Sequence, residues 1–569
     1  MRVPLHHLPL ITAVLAGALM RLWDLDGQSL WLDELYTVRV ATTEGSGAVR
    51  RALAEDVHPP LYYQAMRIWA PLAGTDEALW RLPSALAGLL SIVMTWVFAS
   101  RLAGPAAGAL AAWLVALNPL AVDLDREARG NAWMLLFTTT AAALAAGPPG
   151  RVPAWWLPAF GLSCGLAAWT HFYGALAIAG LLVWLLLRPD RVPGLVPAGL
   201  AGLGSLALWW PVLRGQVSGF SSSPWYLPSP PDSIAWIWME LWAVHSGPAL
   251  LCTLLVAIGL ARVPSAVLPL LTGLVALVLV PQVLETLLAP TLRPRNALSL
   301  VPLVATAAAA GLASLRPVPV AVLASGLVLG VHLLVVVPTV LLRPSGEDWR
   351  AAAAEVVELR QEGEPLVAMH PLLWRVYLGP DLLPDSFEEA PDAASLTWVL
   401  LAHQLDPPGL SALRARAVAV EESVYENARV LRLSGLERVL GRPDFRNEAG
   451  EAPAAEEEGG ADLHFYSASG LRSVPLKAQG SCRLGLVGRS EDAGGISARL
   501  RVRVEAEGQQ LLDQQLVPGA EEQWTEAVEL RLERPTIIEL TLANDAIVQE
   551  EDGPRDRNAH VDALRLRCG

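Results

Sequence analysis

The stretch 31–41, WLDELYTVRVA, sets Asp33 and Glu34 side by side a few residues past an apolar segment, 4–22, that has the length of a membrane span. A helix needs about 20 mostly apolar residues to cross a bilayer. Eleven such segments are readable, at 4–22, 78–99, 104–120, 131–147, 153–169, 174–187, 194–212, 247–261, 264–283, 297–315 and 317–340. The segment 174–187 is short unless Phe172 and Tyr173 extend it. Composition agrees: 53% of the 569 residues are hydrophobic and only 17% charged, against roughly 25% charged in soluble proteins. Mean hydropathy is +0.39. A net charge of −14 argues against nucleic acid as a partner, which wants a basic face.

The short loops set the orientation. One group carries Arg101, Arg151, Arg188 with Arg191, Arg262 and Arg316, is nearly free of acid, and reads as cytoplasmic. The opposite group holds the long polar segments 23–77, 121–130, 212–246 and 284–296. An odd number of spans places the tail, 341–569, outside with them. Residues 1–22 also admit a second reading as a signal peptide, with Ala16-Gly17-Ala18 as a small-residue cleavage site. No internal repeat is visible.

Composition changes at Arg343. The alternation of an amphipathic segment (346–363) with apolar runs (364–370, 395–403, 428–434) predicts a small α/β domain over 343–440. An acidic linker follows over 441–462, centred on NEAGEAPAAEEEGGAD (447–462). Period-two segments such as ISARLRVRVEA (496–506) and TIIELTLAND (536–545) then predict a β-sandwich over 463–569. Cys164 and Cys252 fall within spans as apolar fillers. Cys482 and Cys568 sit near the two ends of the β-rich segment, where an oxidising compartment would let them form a disulfide.

The outer loops collect Asp33, Glu34, Asp56 and His58, with Arg81 at the base of the second span. They also hold Asp123, Asp125, Arg126, Glu127 and Arg129, then His171, His245, Glu285, Arg293 and Arg295. Ionisable groups at a membrane boundary are not needed for spanning, so they mark function by default. Each has a plainer reading as well. Asp33 could N-cap a short helix over 34–43. The HPP of 58–60 could merely start one, DREARGN (125–131) could be a solvated turn, and His171 a satisfied interfacial histidine.

The order of these motifs is more specific than any one of them. LWLDELYT (30–37), DVHPPLYYQAMRIW (56–69), ALWRLPSALAGLLSI (78–92), NPLAVDLDREARGNAW (118–133), THFYG (170–174), RPRNALSLVPL (293–303) and EDWR (347–350) follow in turn. The series resembles the bacterial family 39 glycosyltransferases, members of the GT-C membrane superfamily with the protein O-mannosyltransferases and the lipid A aminoarabinose transferases. The resemblance covers roughly residues 20–350. It implies a GT-C domain over 1–342, a polyprenyl-phosphate sugar as donor, and transfer on the non-cytoplasmic face of the bacterial cytoplasmic membrane. The acceptor is a hydroxyl of a lipid, glycan or protein. Its acidic loop motif, which serves as general base or positions the acceptor, falls on Asp33 and Glu34, with Asp33 the candidate base. The aminoarabinose enzymes carry a lysine before the Pro-Pro pair to hold the donor phosphate; here that position is His58. Arg81, Arg129, Arg293 and Arg295 are the other candidates for the phosphate, and Glu127 and His171 for the substrate. A divalent metal at the site is used by some relatives, though no ligand spacing demands one.

The chemistry fits independently. Breaking a sugar–phosphate bond leaves an anion that cations stabilise, and an attacking hydroxyl needs one carboxylate to take its proton. A glycosidase would want two separated carboxylates. At the far end, LANDAIVQEEDGPRDRNAHVDALRL (542–566) is similar to the last strand pair of calcium-dependent xylan-binding modules. That likeness implies calcium held by Asn544, Asp545, Asp556, Asn558 and Asp562, which suit an ion wanting six to eight oxygens, and a glycan-binding role. The rival readings are a transporter or flippase of polyprenyl-linked glycans, which would place charges near mid-bilayer, and a catalytically inactive glycan receptor.

Overall fold

The computed structural model describes residues 7–147, 153–188, 194–222, 233–242, 246–287 and 292–342 of the apolar part. Of the tail it describes 347–362, 364–379, 381–386, 397–402, 410, 414, 417, 419–425, 428–434, 437–440, 445–446, 463–465, 470–473, 480–490, 492–493, 496–497, 499–506, 509–517, 523–525, 528–530, 536–542, 547–550, 553–556 and 559–568. The chain divides into two units, Met1–Ser345 and Gly346–Gly569.

The first unit is helical. It begins with α1 (Leu8–Leu22), α2 (Leu32–Thr42), α3 (Ser46–Glu55), α4 (Leu61–Ala73) and α5 (Glu77–Ala103). Then come α6 (Pro105–Ala116), α7 (Pro119–Asp125), α8 (Asn131–Ala145), α9 (Trp156–Thr170) and α10 (Phe172–Leu186). The remainder is α11 (Leu195–Gly204), α12 (Trp210–Ser222), α13 (Ser233–Glu240), α14 (Ser246–Arg262), α15 (Val267–Leu274), α16 (Val280–Leu287), α17 (Val301–Ser314) and α18 (Val318–Val336). Each of the eleven apolar segments falls on a helix, and α10 begins at Phe172, as its length required. Among the described residues, five helical stretches are long and apolar enough to cross a membrane, six if α6 and α7, bent by 58°, count as one. The others are shorter or broken, so helix length alone does not fix the number of crossings.

Small residues bring the helices close. Where α14 crosses α17, a Cβ on Gly259 would strike the carbonyl of Ala307, and one on Gly311 the carbonyl of Leu255. Such contacts replace the hydrophobic drive that lipid removes. The core is accordingly rich in alanine, with Ala107, Ala111, Ala112, Ala305, Ala307, Ala308 and Ala309 buried. At the α6–α7 bend, Asn118 caps α7 by accepting from Ala121 N (2.9 Å) and donates Nδ2 to Leu241 O (2.7 Å).

The second unit opens with α19 (Trp349–Leu359) and α20 (Pro371–Leu378), together with a four-stranded sheet. Its strands are β1 (Leu366–Ala368), β2 (Thr397–Ala402), β3 (Ala419–Tyr425) and β4 (Ala428–Ser434), in the order β1-β2-β4-β3. Only the β1–β2 pair is parallel, as the α20 crossover allows. Trp349 stacks on Trp374 with ring centroids 4.3 Å apart. The EDWR motif serves α19: Asp348 caps it, and buried Glu347 accepts from Trp349 Nε1 at 2.7 Å.

Two further sheets form the sandwich. One runs 509–516, 500–506, 536–542, 470–473, 445–446; the other is built on the long strands β5 (Gly480–Ser490) and β6 (Ala559–Cys568). Leu484, Leu486, Val502, Val504, Ile538, Leu540, Leu564 and Leu566 fill the space between them. Arg501 and Arg503 alternate outward to meet Asp513 and Glu539. The segment Glu437–Leu440, which falls within the 343–440 range read from the sequence, pairs with β6. The linker core 447–462 lies outside the described residues.

Candidate active site

Six separate stretches meet around Asp33. Helix α2 starts at Leu32 with Trp31 as its N-cap. The residue that closes this cap is Glu34, whose Oε2 accepts from Trp31 N at 3.2 Å. Glu34 is fully buried and accepts three more bonds: Arg81 Nη2 to Oε2 (2.6 Å), Arg81 Nε to Oε1 (2.8 Å) and Ala128 N to Oε1 (2.7 Å). Arg81 spends its remaining N–H groups on the carbonyls of Leu25 (2.8 Å), Gln28 (2.7 Å) and Ser29 (2.9 Å). A guanidinium has five N–H donors, and here all five serve protein acceptors. In this arrangement the four bonds to Glu34 fill its lone-pair positions, and every N–H of Arg81 is engaged within the fold. Together they tie the 25–34 loop to α5 and to the loop after α7.

Asp33 faces the other way. Its side chain is 29% exposed, against 0% for Glu34. Oδ2 accepts from Arg295 Nη1 at 3.2 Å and lies 3.8 Å from Arg129 Nη2. Arg129 is buried and also holds Asp33 by its backbone carbonyl, through Nη1 at 3.1 Å. The same Nη1 donates to the Tyr63 hydroxyl at 3.0 Å. Arg295 lies over the Trp31 ring, 5.8 Å from its centroid. Arg293 turns to the carbonyl of Leu292 (2.9 Å).

Beyond Arg129 stands His58, whose Nδ1 is 3.4 Å from Arg129 Nη2 and 3.4 Å from Asp56 Oδ1. Burial would raise the Asp56 carboxyl, but His58, Arg129 and the Tyr63 hydroxyl outweigh it and hold it down at about 2. The His58 ring meets His171 edge to face at 4.9 Å. His171 is buried, and its Nδ1 accepts from Tyr173 N at 3.1 Å as the N-cap of α10. Burial, then the neighbouring His58 and Arg129, hold this imidazole well below its usual range, so it is neutral. Glu127 lies on the loop after α7, and its Oε2 is buried without a hydrogen-bond partner. Burial, then the charges of Asp123 and Glu34, push its carboxyl well above the usual carboxylate range.

Of the residues that the loop motifs single out, Asp33, His58, Arg129, Arg295, Glu127 and His171 therefore share one neighbourhood. Two further participants carry weaker signals in the sequence. Tyr63 is an aromatic in an aromatic-rich helix, and Asp56 is one loop acid among several. Arg21 looks in the sequence like the mere end of a span. It is buried and pairs with Asp125 at 2.8 Å, both side chains 0% exposed, joining α1 to α7. Arg126 caps the end of α1 through the carbonyls of Met20 and Trp23. His245 and the Glu285 side chain lie outside the described residues. Among the described residues no three His, Cys, Asp or Glu side chains gather so as to hold a metal ion.

In the tail, Cys482 and Cys568 are direct register partners across β5 and β6. The 547–556 insert folds on itself as a hairpin, Ile547–Glu550 against Gly553–Asp556. Asp556 ends that hairpin and Asp562 lies in β6, while Asn544, Asp545 and Asn558 fall outside the described residues.

Residues 57–213 match the family model for dolichyl-phosphate-mannose-protein mannosyltransferases, which supports the resemblance carried by the loop motifs. ArnT from Cupriavidus metallidurans in the apo state superposes with a TM-score of 0.51 at 14% identity, over 75% of this chain and 97% of that one. The membrane unit has the GT-C fold. The same ArnT bound to undecaprenyl phosphate gives a TM-score of 0.48 at 15% identity, over 75% of this chain and 97% of that one. A CBM36-1 domain of a multidomain xylanase from the hindgut metagenome of Trinervitermes trinervoides aligns over 23% of this chain and 95% of its own. Its identity is 16% and its TM-score 0.18, so it carries no argument about the sandwich. No curated protein sequence matches the chain. The GT-C unit thus places the Asp33 loop, the Arg129 loop and the start of the 294–300 helical turn together, although 262 residues separate Asp33 from Arg295.

Proposed function

We propose that this chain is an inverting membrane glycosyltransferase that moves a sugar from a polyprenyl-phosphate donor to an acceptor hydroxyl. Asp33 is the base. Arg129 and Arg295 hold the donor phosphate, and His58 lies on the phosphate side. One observation carries this: of two adjacent carboxylates, Glu34 is consumed by the fold, while Asp33 stays open to solvent beside two guanidiniums. A carboxylate that can take a proton, next to fixed cations that meet a departing anion, is a sufficient kit for sugar transfer. The site lies at the membrane surface because a lipid-linked donor keeps its head group there and its tail in the bilayer.

The face is proposed to be extracytoplasmic, with the tail on the same side of the cytoplasmic membrane. Calcium at the end of the sandwich, with glycan binding, is a further part of the proposal. A calcium-dependent rise in the melting temperature of the purified chain tests it; a flat titration rejects it. The transferase reading is tested by incubating membranes that contain the chain with a panel of radiolabelled polyprenyl-phosphate sugars. Label should move from lipid donor to a new acceptor with at least one sugar. Label that only crosses the bilayer, still on its lipid, would make the chain a flippase.

A further inference from the structure

Resting on the transferase reading, we propose that His58 donates a proton to the departing phosphate and that Asp56 is its positioning residue. His58 Nδ1 is equidistant, at 3.4 Å, from the Asp56 carboxylate and the Arg129 guanidinium. It can donate to the first only when it carries a hydrogen, and accept from the second only when it does not. The two arrangements exclude each other, so the imidazole has two states within one fixed cage. With Nδ1–H donated to Asp56, protonation is completed at Nε2. The His58 side chain is 23% exposed and therefore reaches the open part of the site.

Position supports the role. One guanidinium group separates the base from the imidazole: Arg129 Nη2 is 3.8 Å from Asp33 Oδ2 and 3.4 Å from His58 Nδ1. A donor seated against Arg129 lies within reach of both Asp33 and His58. Arg129 cannot drift, because Tyr63 and the Asp33 carbonyl hold its other nitrogen.

The proton inventory balances. The acceptor O–H gives its proton to Asp33 as its oxygen bonds to the sugar carbon. The bond from that carbon to the phosphate oxygen breaks, and its electron pair stays on the phosphate. The phosphate goes from a singly charged diester to a monoester, whose second ionisation lies at about 6. Imidazole ordinarily titrates near about 6.5. His58 hands its Nε2 proton to the phosphate, so that polyprenyl hydrogen phosphate leaves and no dianion is stranded. A lysine, ordinarily at about 10.4, supplies charge but holds its proton.

Among the described residues, the charged and titratable groups in contact with His58 are Asp56 on its own loop, Arg129 after α7 and His171 at the start of α10, while the Tyr63 hydroxyl on α4 faces Asp56. Asp56 is ionised and Arg129 is a cation, so His58 stands between a fixed negative and a fixed positive charge, with the neutral His171 ring beside it.

The test measures kcat and KM against pH for the purified full chain, with a polyprenyl-phosphate sugar that it transfers. The wild type should give a bell, with an alkaline limb between about pH 6 and 8.5 set by an imidazole. His58→Lys should keep KM within about twofold, lose about 10²-fold in kcat and lose that limb. His58→Gln should lose the limb and raise KM as well. Asp56→Asn should move the limb to lower pH and lower kcat, because the imidazole loses the carboxylate that orients it. A wild type without an alkaline limb in that window overturns the proposal with no variant needed. So does His58→Lys with wild-type kcat and pH profile, which would mean that charge alone is required. Failure of the wild type to transfer any sugar would instead remove the transferase reading, and this proposal with it.

Discussion

A carboxylate at the third position of a helix commonly bonds back to the N-cap N–H, and Glu34 does this while also receiving Arg81 in a two-point grip. Its neighbour Asp33, one residue earlier, points to the open site. The sequence shows the pair but not this division of labour, because which side chain turns inward depends on Arg81 and Ala128, 47 and 94 residues away. The consequence is separable. Glu34→Gln leaves a buried guanidinium without its charge and should cost about 3 kcal/mol; the loss is read as a lower melting temperature. Asp33→Asn should leave the melting temperature unchanged. Glu127 gives a pH signature. Its folded carboxyl binds a proton more tightly than the unfolded one, so its contribution is complete below the unfolded value of about 4.5. It is lost as pH rises through the higher folded value. Glutamine mimics the protonated form, so Glu127→Gln should raise the melting temperature at pH 8 and leave it unchanged near pH 4. Equal effects at both pH values would contradict this.

Among the elements, the helices are legible because apolar length is a local property. Their breaks are not. The 58° bend between α6 and α7 falls at Asn118-Pro119, where proline cannot continue the hydrogen-bond ladder and Asn118 caps the next turn. The Arg21–Asp125 pair that joins α1 to α7 stays hidden because an arginine near the end of an apolar run looks like an interfacial anchor. In the sandwich, alternation at 500–506 and 536–542 predicts the strands that form there, while Glu437–Leu440 pairs with β6. A four-residue strand carries no information about its partner. Register makes one element-scale prediction. Directly opposed residues on antiparallel strands have Cα atoms about 4.5–5.5 Å apart, inside the range a disulfide spans. Peptide mapping of the oxidised full chain should therefore link Cys482 to Cys568; two free thiols in oxidised material would contradict it.

For the whole molecule, the sequence supports a site made from distant loops only through the order of its motifs. Contact between the 33, 58, 129, 171 and 295 regions is a product of how the helices pack, which composition does not report. Orientation is the property on which every loop assignment depends. A cysteine-labelling scan of right-side-out vesicles should find 101, 151, 190, 262 and 316 protected and the tail accessible. A tail labelled only after lysis would move the site to the cytoplasm. The central claim is narrower still: Asp33 takes the acceptor's proton. Asp33→Asn keeps its shape and removes that ability. With the donor sugar that the wild type accepts, transfer should fall by about 10²–10⁴-fold, with donor affinity and melting temperature kept. Transfer at the wild-type rate by a folded Asp33→Asn chain would contradict the account.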